Sequence, residues 1–550
     1  MKPAPPPRRR KLNAWGFEGV TFPPPRPMRQ WLTERLGPAE RRTAVDPASI
    51  RVPEPRPLPD LPAPTSTDRA DRLLHARGRG FSDLVRLRTG TLPALPDAVV
   101  RPEDAADVHE VLRVCSREGV RVIPWGGGTS VTGGVNAQPD PAPAVVLDLE
   151  RLSGLVRVDA RSGHATFRAG TLGPAIEAAL APHRLTLGHF PQSWELSTLG
   201  GWIATRSSGQ ESLGFGRIED MVAGLELVAP AGRLSLPALP ASAAGPDLRQ
   251  LVLGSEGRFG VITEATVRVE PRPARRAVAA YLLPAWDAGV EAVRQMTRAG
   301  LPLHMIRLSD ATETEAALAV GLGGHLWAPV ARGWLRLRGA GPSSCLLLCG
   351  AAGDHREIRH TLGETRRYLK EWKAVPLGEG PGQRWLADRF RHPYLRDSLF
   401  DLGWATDTLE TAASWSALPG LYRAVRLALA STLPDEEVPV LCHISHPYRD
   451  GASLYFTIFF QDVDDPAESI ARWAALKRAA TSVLVGDRGG AGDGGTLSHH
   501  HGIGSWHAPW YPREAGADGV RALSAVAREL DPRGILNPHV LFDPLDRLEL

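Results

Sequence analysis

The chain has 550 residues, 43% of them apolar, and a formal net charge of +3. This length exceeds what one hydrophobic core usually organises, so two or three domains are expected. The near balance of charge excludes a dedicated nucleic-acid-binding protein, because phosphate recognition requires concentrated Lys and Arg. The four cysteines form neither a disulfide framework nor a zinc pattern, which fits a reducing cytoplasm.

Two kinds of apolar segment are not expected in this chain. No run of about 18 apolar residues occurs, so no transmembrane helix is expected. The N-terminus begins with prolines and arginines and lacks the apolar core of a secretory signal. We therefore expect a cytoplasmic protein.

Residues 1–90 are predicted to form a separate N-terminal segment. Residues 1–65 are rich in Pro and Arg, which is typical of chain that extends over other domains and has no core of its own. The basic run at residues 8–11 is most simply a solvated tail, and contact with an anionic surface or an acidic partner is the alternative. Residues 66–92 are predicted to be helical in part.

An alternation of strands and helices begins near residue 99 and defines a domain over residues 91–272. Apolar residues at helical spacing, from Val108 to Cys115, predict a helix over residues 105–119. Pro271 and Pro273 mark the end of the pattern. The other predicted elements are strands over residues 99–102, 120–124, 145–149, 156–159 and 164–169 and a helix over residues 171–181.

Residues 273–550 have the profile of a second α+β domain with its own sheet. Helices are predicted over residues 287–299 and 354–370, and strands over residues 345–349 and 453–460. A further helix is predicted near residues 519–530. The predicted fold class of the whole chain is therefore α+β.

A glycine-rich turn follows the predicted strand at residues 120–124. Consecutive glycines let main-chain N–H groups converge on an anion without interference from Cβ atoms, and two hydroxyl groups follow them. The turn has no Walker lysine, and its spacing does not match the Rossmann fingerprint. The candidate cofactor-binding residues here are Pro124, Trp125, Gly126, Gly127, Gly128, Thr129 and Ser130.

Two further segments are rich in glycine and small hydroxylated residues, as is required where main chain lies against a flat ring or a pyrophosphate. Any one of the three segments could be a structural turn, but all three in this order favour a cofactor site. The candidates in the second segment are Pro191, Gln192, Ser193, Ser197, Thr198, Gly200, Gly201, Ala204, Thr205, Arg206 and Ser207, and those in the third are Glu256, Gly257, Gly260, Val261 and Ile262.

Three adjacent histidines, His499, His500 and His501, follow a glycine-dense stretch. In a strand, His499 and His501 would share one face and His500 would lie on the other. Adjacent residues are poorly spaced as metal ligands and no carboxylate partner is evident, so no metal is expected. A polar surface loop is one alternative. Acid–base and hydrogen-bonding groups of an active site are the other, because imidazole titrates near neutral pH.

Four more residues are candidates for a site. Tyr455 lies in an apolar run, where a core tyrosine is the ordinary interpretation. Arg307 lies between apolar neighbours, so its charge needs an ion-pair partner or a ligand. Arg396 and Thr408 offer a guanidinium and a hydroxyl, which suit a phosphate, although a helix salt bridge and a cap would also explain them.

The three glycine-rich segments resemble the FAD-binding domain of the vanillyl-alcohol-oxidase superfamily (PCMH type). The Asn-x-Trp-Gly element at residues 13–16 and the triple histidine resemble, within it, the alkyldihydroxyacetonephosphate (alkylglycerone-phosphate) synthase family. The resemblance implies a two-subdomain FAD-binding domain and an α+β cap domain with an antiparallel sheet, whose C-terminal segment returns to the flavin. Residues 124–130 would cradle the pyrophosphate, and the other two segments would line the rest of a noncovalently bound FAD.

The same resemblance implies roles and an activity. Tyr455, Arg307 and the three histidines would be catalytic, while Arg396 and Thr408 would hold a substrate phosphate. The implied reaction exchanges the acyl group of 1-acyl-dihydroxyacetone phosphate for a long-chain alcohol, which forms an ether lipid without net redox change. The expected partners are a lipid-like small-molecule substrate, a membrane touched peripherally and a second copy of the chain in a homodimer.

Two other functions fit the same segments. An FAD-linked D-2-hydroxy-acid dehydrogenase or oxidase has the same superfamily motifs, and a flavin-binding protein without catalysis is the third alternative. The chain also departs from the synthase pattern, because Thr408 replaces a serine, His443 an arginine and Ser505 a lysine. The loss of two positive charges bears on the identity of the anionic substrate and leaves the flavin assignment unchanged.

Overall fold

The computed structural model describes residues 9–323, 328–486 and 494–542. These residues form a four-stranded, a five-stranded and a seven-stranded sheet with helices around them. Among them, no helix is both long and apolar enough to cross a membrane.

The N-terminal strap, residues 9–64, lies over the rest of the chain. It contains α1 (Arg26–Leu36) and a 3₁₀ turn at Pro47–Ser49. The helix buries Trp31 and Leu32 in one cluster with Leu399 and Trp404. The Pro/Arg-rich composition did not predict α1, because a helix of this length depends on tertiary burial of its apolar face. After the strap come β1 (Thr65–Ser66), α2 (Arg69–Leu74) and α3 (Phe81–Thr89).

The four-stranded sheet has the order β1–β2–β4–β3, in which β2 (Ala98–Val100), β3 (Arg121–Trp125) and β4 (Ala144–Asp148) are parallel. The predicted helix is confirmed as α4 (Ala105–Glu118), which connects β2 to β3. Asp104 caps it by accepting hydrogen bonds from Ala106 and Asp107, and Gly119 at φ 73° ends it. Because the strands are parallel, the turn after β3 lies at the same edge as the end of β4.

The five-stranded sheet is antiparallel with the order β5–β6–β10–β8–β9. It packs with the four-stranded sheet around one core that includes Leu112 and Phe167, and we call residues 65–271 the two-sheet unit. After β4, the elements of the two-sheet unit are β5 (Leu155–Asp159), β6 (His164–Arg168), α5 (Gly173–Leu180), a 3₁₀ turn (Ala181–His183), β7 (Leu185–Thr186), α6 (Leu199–Thr205), α7 (Ser212–Phe215), α8 (Ile218–Met221), β8 (Val222–Ala229), β9 (Gly232–Leu236), α9 (Arg249–Val252), β10 (Val261–Arg268) and β11 (Glu270–Pro271). The last of these strands, β11, pairs with β7.

The seven-stranded sheet is antiparallel with the order β15–β12–β14–β13–β17–β18–β16, and we call residues 275–485 the cap. The two predicted helices are confirmed as α10 and α13, and the strands as β14 and β18. The elements are β12 (Arg275–Leu283), α10 (Trp286–Arg298), β13 (Met305–Ser309), α11 (Ala311–Leu322), α12 (Ala328–Leu337), β14 (Cys345–Gly353), α13 (His355–Lys370), β15 (Val375–Gly378), α14 (Gly380–Asp388), α15 (His392–Phe400), β16 (Trp404–Ser414), α16 (Leu418–Ala430), β17 (Val440–Ile444), β18 (Gly451–Gln461) and α17 (Pro466–Val485).

The last described residues return to the two-sheet unit. After α18 (Tyr511–Leu530), the main chain of residues 535–537 lies beside β3. Val122 donates its N–H to Ile535 O at 2.9 Å, and Asn537 donates to Val122 O at 2.8 Å. The C-terminal chain therefore extends the four-stranded sheet next to the strand that carries the glycine turn.

Candidate active site

The glycine turn, residues 126–130, follows β3 and packs against the second glycine-rich segment. A Cβ atom on Gly127 would lie 1.7 Å from the carbonyl oxygen of Leu196, and one on Gly126 would lie 2.3 Å from Oγ1 of Thr198. Gly128 has a φ of 62°, a left-handed conformation that favours glycine. Glycine is required here because the two segments are in direct contact.

The main-chain N–H groups of the glycine turn are available to a ligand. Across the described ranges, none of the N–H groups of residues 126–130 donates a hydrogen bond to a protein atom. The Ser130 hydroxyl oxygen accepts the N–H of Gly134 at 3.0 Å, which fixes the end of the turn. Successive unpaired N–H groups form a concave anion site, so this donor set fits the pyrophosphate of a dinucleotide.

The second segment turns at residues 191–197 and then enters α6. Ser193 donates its hydroxyl to Ser197 Oγ at 3.1 Å, and Trp202 Nε1 donates to the same oxygen at 2.7 Å. Thr198 caps α6 by accepting the N–H of Gly201. These contacts fix the main chain of the segment in the position where it meets the glycine turn.

The chain after α6 is held by hydrogen bonds within the protein. Thr205 donates its hydroxyl to Gly201 O at 3.0 Å, and Arg206 Nε donates to Leu253 O at 3.1 Å. The Ser207 hydroxyl lies 3.1 Å from His189 Nε2. These side chains are therefore engaged with protein atoms, and Ala204 presents only its main chain and methyl group.

The third segment joins the other two to the C-terminal chain. The Glu256 carboxylate accepts the N–H groups of Ile503 at 2.7 Å and Gly504 at 2.8 Å, and burial raises its pKa to about 7. Glu256 donates its own N–H to Ala204 O at 3.0 Å. A Cβ on Gly257 would lie 3.0 Å from Pro124 Cγ. The glycine-rich segments are therefore contiguous in space.

The rest of the third segment is part of the core. A Cβ on Gly260 would lie 2.7 Å from Leu227 Cγ, and Val261 and Ile262 are buried in β10. Ser255 Oγ and Thr263 Oγ1 flank this stretch and are buried without a hydrogen-bond partner in the described part of the chain. Buried hydroxyls of this kind need a partner, and a cofactor lying on the segment would provide it.

On the cap, four residues form one row across β13, β17, β18 and β16. The Cα register pairs Ser309 with His443, His443 with Tyr455, and Tyr455 with Glu410. Arg307 lies two residues from this row on β13, and therefore on the same face of the sheet. The row collects residues that are far apart in sequence.

Glu410 holds the histidine turn, residues 498–505, against this row. Its carboxylate accepts the Ser498 hydroxyl at 2.8 Å and the N–H groups of His499 at 2.5 Å, His500 at 3.1 Å and His501 at 3.0 Å. Burial raises the pKa of Glu410, but the neighbouring imidazoles and N–H groups outweigh it and hold the pKa well below its usual range. The histidines therefore lie in a turn and not in a strand, and the expectation that they have no carboxylate partner is wrong.

The imidazoles of the histidine turn contact one another and the cap. His499 Nε2 lies 2.6 Å from the Tyr448 hydroxyl, and His499 Nδ1 lies 2.8 Å from His500 Nδ1. The His446 ring stacks on that of His499 with centroids 4.9 Å apart. Burial lowers the pKa of all three adjacent histidines, that of His501 to about 3, so they are neutral at pH 7.

This cluster also has the geometry of a metal site. His446, His499 and His500 each place a ring nitrogen within 4.8 Å of the others. The guanidinium of Arg217 lies 3.4 Å from His499 Nε2, and a positive charge at this distance opposes a bound cation. The expectation that no metal binds stays a prediction, which elemental analysis of the purified protein checks.

Tyr455 lies at the centre of the candidate site. Its ring stacks on His443 with centroids 4.9 Å apart and lies 5.7 Å from the ring of His501. Burial raises the pKa of Tyr455 to about 12, although a hydrogen bond with Thr408 lowers it in part. The phenol is therefore protonated at neutral pH and lies next to neutral imidazoles.

Arg307 has both an ion-pair partner and a position in the site. Its guanidinium donates to Glu313 Oε1 at 2.5 Å and lies 3.0 Å from each ring nitrogen of His443. His443 Nδ1 in turn lies 2.9 Å from Glu313 Oε2. Burial raises the pKa of Glu313, but His443 and Arg307 hold it well below its usual range. A histidine at position 443 thus avoids a second permanent cation beside Arg307.

Arg396 lies near the buried carboxylate of Asp407, and Thr408 is the next residue along β16. Arg396 lies 3.5 Å from Asp407 Oδ1 and donates to Arg79 O at 2.7 Å. Lys477, which the sequence did not single out, donates to Thr408 O at 2.7 Å and lies 3.4 Å from Asp407 Oδ2. Two cations, Arg396 and Lys477, thus lie beside one anion, Asp407.

The histidine turn also contacts the residues that follow the glycine turn. Thr132 donates its hydroxyl to His501 O at 3.3 Å, and Ser505 donates its hydroxyl to Gly133 O at 3.2 Å. With Glu256 and Glu410, these bonds fix the histidine turn between the two-sheet unit and the cap. Ser505 therefore acts here as a buried neutral contact.

The N-terminal strap reaches the same region. Arg10 donates to Gly127 O at 2.6 Å, and Trp15 donates its N–H to Asp397 Oδ2 at 2.8 Å. Arg10 is half-buried, so the interpretation of the basic run as a solvated tail is wrong for this residue. No sequence signal identified Arg10 or Glu410, because the contacts of both arise from distant parts of the chain.

Two family models match the chain. Residues 96–235 match the model described as FAD binding domain, and residues 272–541 match the C-terminal domain of FAD linked oxidases. These matches agree with the donor set of the glycine turn, and the cofactor is FAD. A structure of p-cresol methylhydroxylase with substrate bound has a TM-score of 0.64 at 15% identity over 88% of this chain and 94% of that chain, which shows the PCMH-type fold alone.

Closer relatives cover most of the chain. The alkyldihydroxyacetonephosphate synthase of Trypanosoma brucei brucei is 32% identical over 86% of this chain and 77% of its own. A solved structure of an alkyldihydroxyacetonephosphate synthase matches with a TM-score of 0.81 and 27% identity over 96% of this chain and 98% of that chain. This chain therefore belongs to the alkyldihydroxyacetonephosphate synthase family of FAD-binding proteins.

Proposed function

We propose that this protein exchanges the acyl group of a 1-acyl-dihydroxyacetone phosphate for a long-chain alcohol, which forms an ether lipid without net redox change. The observation that carries the proposal is the histidine turn, which Glu410 of the cap and Glu256 of the two-sheet unit fix beside Tyr455. The names of the relatives support the same reaction.

FAD, when bound, supplies an electron-accepting ring that activates the substrate carbon carrying the acyl group. We propose that it binds noncovalently, with the N–H groups of the glycine turn on its pyrophosphate. The second and third segments lie against the rest of the molecule. Ser255 and Thr263 donate their unpaired buried hydroxyls to it.

The reaction breaks the bond between the substrate carbon and the acyl oxygen and forms a bond from this carbon to the alcohol oxygen. The fatty acid leaves as a carboxylate, and the alcohol proton must be accepted. Neutral imidazoles of the histidine turn accept it, and the Glu410 carboxylate beside them stabilises the resulting positive charge. Tyr455, which is protonated at neutral pH, moves a proton at the substrate carbon.

The charged groups around Asp407 hold the substrate. Arg396 and Thr408 bind its phosphate, and Lys477 adds a second positive charge close to them. Arg307 orders the side of the site away from Asp407, through its contacts with Glu313 and His443. The site then has an anion-binding end and a proton-transfer end, and Thr408 and Glu410 share one face of β16.

The test is anaerobic addition of palmitoyl-dihydroxyacetone phosphate to the purified protein, followed by hexadecanol. Release of palmitate and then formation of the ether lipid, with the flavin oxidised at the end, is the expected result. Flavin reduction by D-lactate or glycolate, without reaction with the acyl substrate, would establish the dehydrogenase instead. Unchanged behaviour of Tyr455→Phe and His501→Ala would favour a flavin-binding protein without catalysis.

We further propose peripheral contact with a membrane through α12. Val330, Trp334 and Leu337 are 75%, 43% and 90% exposed and recur at helical spacing, which places them on one face. Basic residues in and after the last turn, Arg336 and Arg338, suit anionic headgroups.

Flotation with anionic liposomes tests this contact. Leu337→Ser should reduce the bound fraction, whereas Leu427→Ser, which removes a leucine 70% exposed on α16, should leave it unchanged. Equal flotation of both variants would contradict the assignment to α12. The proposal also includes a homodimer located in the cytoplasm, which analytical ultracentrifugation and cell fractionation test.

A further inference from the structure

Arg79 is a buried cation beside the glycine turn. It is 1% exposed, and its N–H donates to Ser130 O at 2.7 Å. Its guanidinium donates from NH1 to the carbonyl oxygens of Arg77 and Gly78, both at 2.8 Å. Nε and NH2 are buried and have no hydrogen-bond partner within the described residues. Part of the guanidinium therefore remains unsatisfied.

The two carboxylates that act on the charge of Arg79, Asp83 and Asp397, accept their hydrogen bonds from other groups. Asp83 accepts from Arg77 Nε at 3.0 Å and from Asn136 Nδ2 at 2.8 Å. Asp397 accepts the N–H of Trp15 with Oδ2, its buried Oδ1 has no hydrogen-bond partner within the described residues, and burial raises its pKa to about 6. Neither forms a salt bridge with Arg79 in the described part of the structure. A buried cation in this situation requires an anion.

Arg10 brings a second cation to the same place. Its NH1 donates to Gly127 O at 2.6 Å, and its Nε is buried without a partner in the described ranges. Burial, and then the charge of Arg10, lowers the pKa of Arg79 to about 9. Two residues far apart in sequence thus bring cations to the glycine turn, Arg10 through its guanidinium and Arg79 through its main-chain N–H, and no salt bridge between either guanidinium and a carboxylate occurs among the described residues.

We propose that Arg79 and Arg10 bind the phosphoryl oxygens of an anionic ligand at the glycine turn. A guanidinium fork matches this chemistry. One source is the pyrophosphate of FAD. The other is the phosphate of the substrate, since Arg396 NH1 donates to Arg79 O at 2.7 Å. Only the second source rests on the proposed function.

The first measurement is the rate at which FAD leaves the holoprotein on dilution, followed by flavin fluorescence without substrate. Arg79→Met should release FAD at least about tenfold faster than the unsubstituted protein, because charge-assisted hydrogen bonds are lost. Arg72→Met is the matched control. Arg72 is also buried, but it donates to Pro96 O and Pro53 O, both at 2.7 Å, away from the glycine turn.

The second measurement is the inhibition constant of free dihydroxyacetone phosphate in the same variants, which distinguishes the two sources. Faster FAD release with an unchanged inhibition constant assigns the arginines to the pyrophosphate. Unchanged release with an inhibition constant raised at least about tenfold assigns them to the substrate phosphate.

Arg10→Gln protects the test against misfolding, because Arg10 is only half-buried and lies in the N-terminal strap, outside the hydrophobic core clusters. It should change the same measurement as Arg79→Met by a smaller factor. If both measurements are unchanged in Arg10→Gln, and in Arg79→Met where it folds, the proposal is overturned. FAD release is measured without substrate. Its result can therefore be interpreted even if the protein does not catalyse the alkyl exchange.

Discussion

The two sides of the site are built in different ways. On the two-sheet unit, the groups that we propose bind FAD are main-chain N–H groups, and the turn has no side chains at Gly126 and Gly127 because the second segment leaves no space there for a Cβ atom. On the cap, the functional groups are side chains from separate strands, aligned by sheet register as Tyr455 and Glu410 are. A main-chain site is therefore intolerant of any added atom, whereas a side-chain site depends on particular functional groups.

The largest expected effect tests the main-chain side. In Gly127→Ala the new Cβ would lie 1.7 Å from Leu196 O, which displaces the second segment at a cost of about 3 kcal/mol and removes bound FAD. The flavin absorbance of the purified variant measures this loss. Gly363→Ala on α13, where a Cβ has nothing within 4 Å, should keep its flavin. An alanine variant at position 127 with full flavin content would show that the close contact does not control binding.

The next effect tests the side-chain side. Tyr455→Phe keeps the stacked ring but removes the phenolic proton, so the rate of fatty acid release should fall about 10²- to 10⁴-fold. FAD content should be unchanged, because the residue lies on the cap. Tyr281→Phe, which alters a buried tyrosine on β12 of the same sheet, is the control and should be fully active. Equal rates in the two variants would remove Tyr455 from the catalytic groups.

Glu410→Gln is expected to have a smaller effect. It removes the negative charge that holds four donors of the histidine turn, which should slow exchange about 10- to 100-fold and lower the free energy of unfolding by about 1–3 kcal/mol. Substrate kinetics and urea unfolding measure the two effects. Glu514→Gln is the matched control, because Glu514 also accepts hydrogen bonds, from Leu497 N and Thr496 Oγ1, each at 2.7 Å, just outside the histidine turn. A rate loss as large in Glu514→Gln would mean that the charge of Glu410 has no special role.

A substitution of Glu256 is expected to affect activity least, and its main effect is on how the free energy of unfolding depends on pH. Burial raises its pKa from 4.5 to about 7, so between these values the folded chain keeps a proton that the unfolded chain has released. The unsubstituted protein therefore loses stability as pH rises from 4.5 to 7, and Glu256→Gln does not share this loss. Relative to the unsubstituted protein, the variant should gain about 3 kcal/mol across that range in urea unfolding. A difference independent of pH would contradict the raised pKa.

The same contrast explains how much could be predicted from the sequence. The glycine-rich segments, α4 and β3 are local features, since helical periodicity and consecutive glycines occur within a few neighbouring residues. The resemblance of these segments to a known family then identified the cofactor before any geometry was known. Main-chain sites have this property because they need glycine, and glycine clusters are visible in a sequence.

The cap side could be predicted only in part. Tyr455 and the triple histidine were identified, but Glu410 was not, because its position opposite Tyr455 depends on the pairing of β16 with β18. Arg10 was missed because a basic residue near the N-terminus has many possible partners, and the strap that brings it to Gly127 has no local signature. Strand register and strap path are properties of the folded chain, so spacing alone does not reveal them.

The position of the histidine turn has a consequence for the growing polypeptide. Thr132 and His501 touch although 369 residues separate them. At ordinary rates of translation this interval takes roughly 20–70 s. A nascent chain therefore presents the glycine turn long before any of the three histidines, or the stretch at residues 535–537 that pairs with β3, has been synthesised. A ribosome that stops early leaves a product with the glycine-rich segments but without the histidine turn, so we expect premature products to lack the alkyl-exchange activity proposed above.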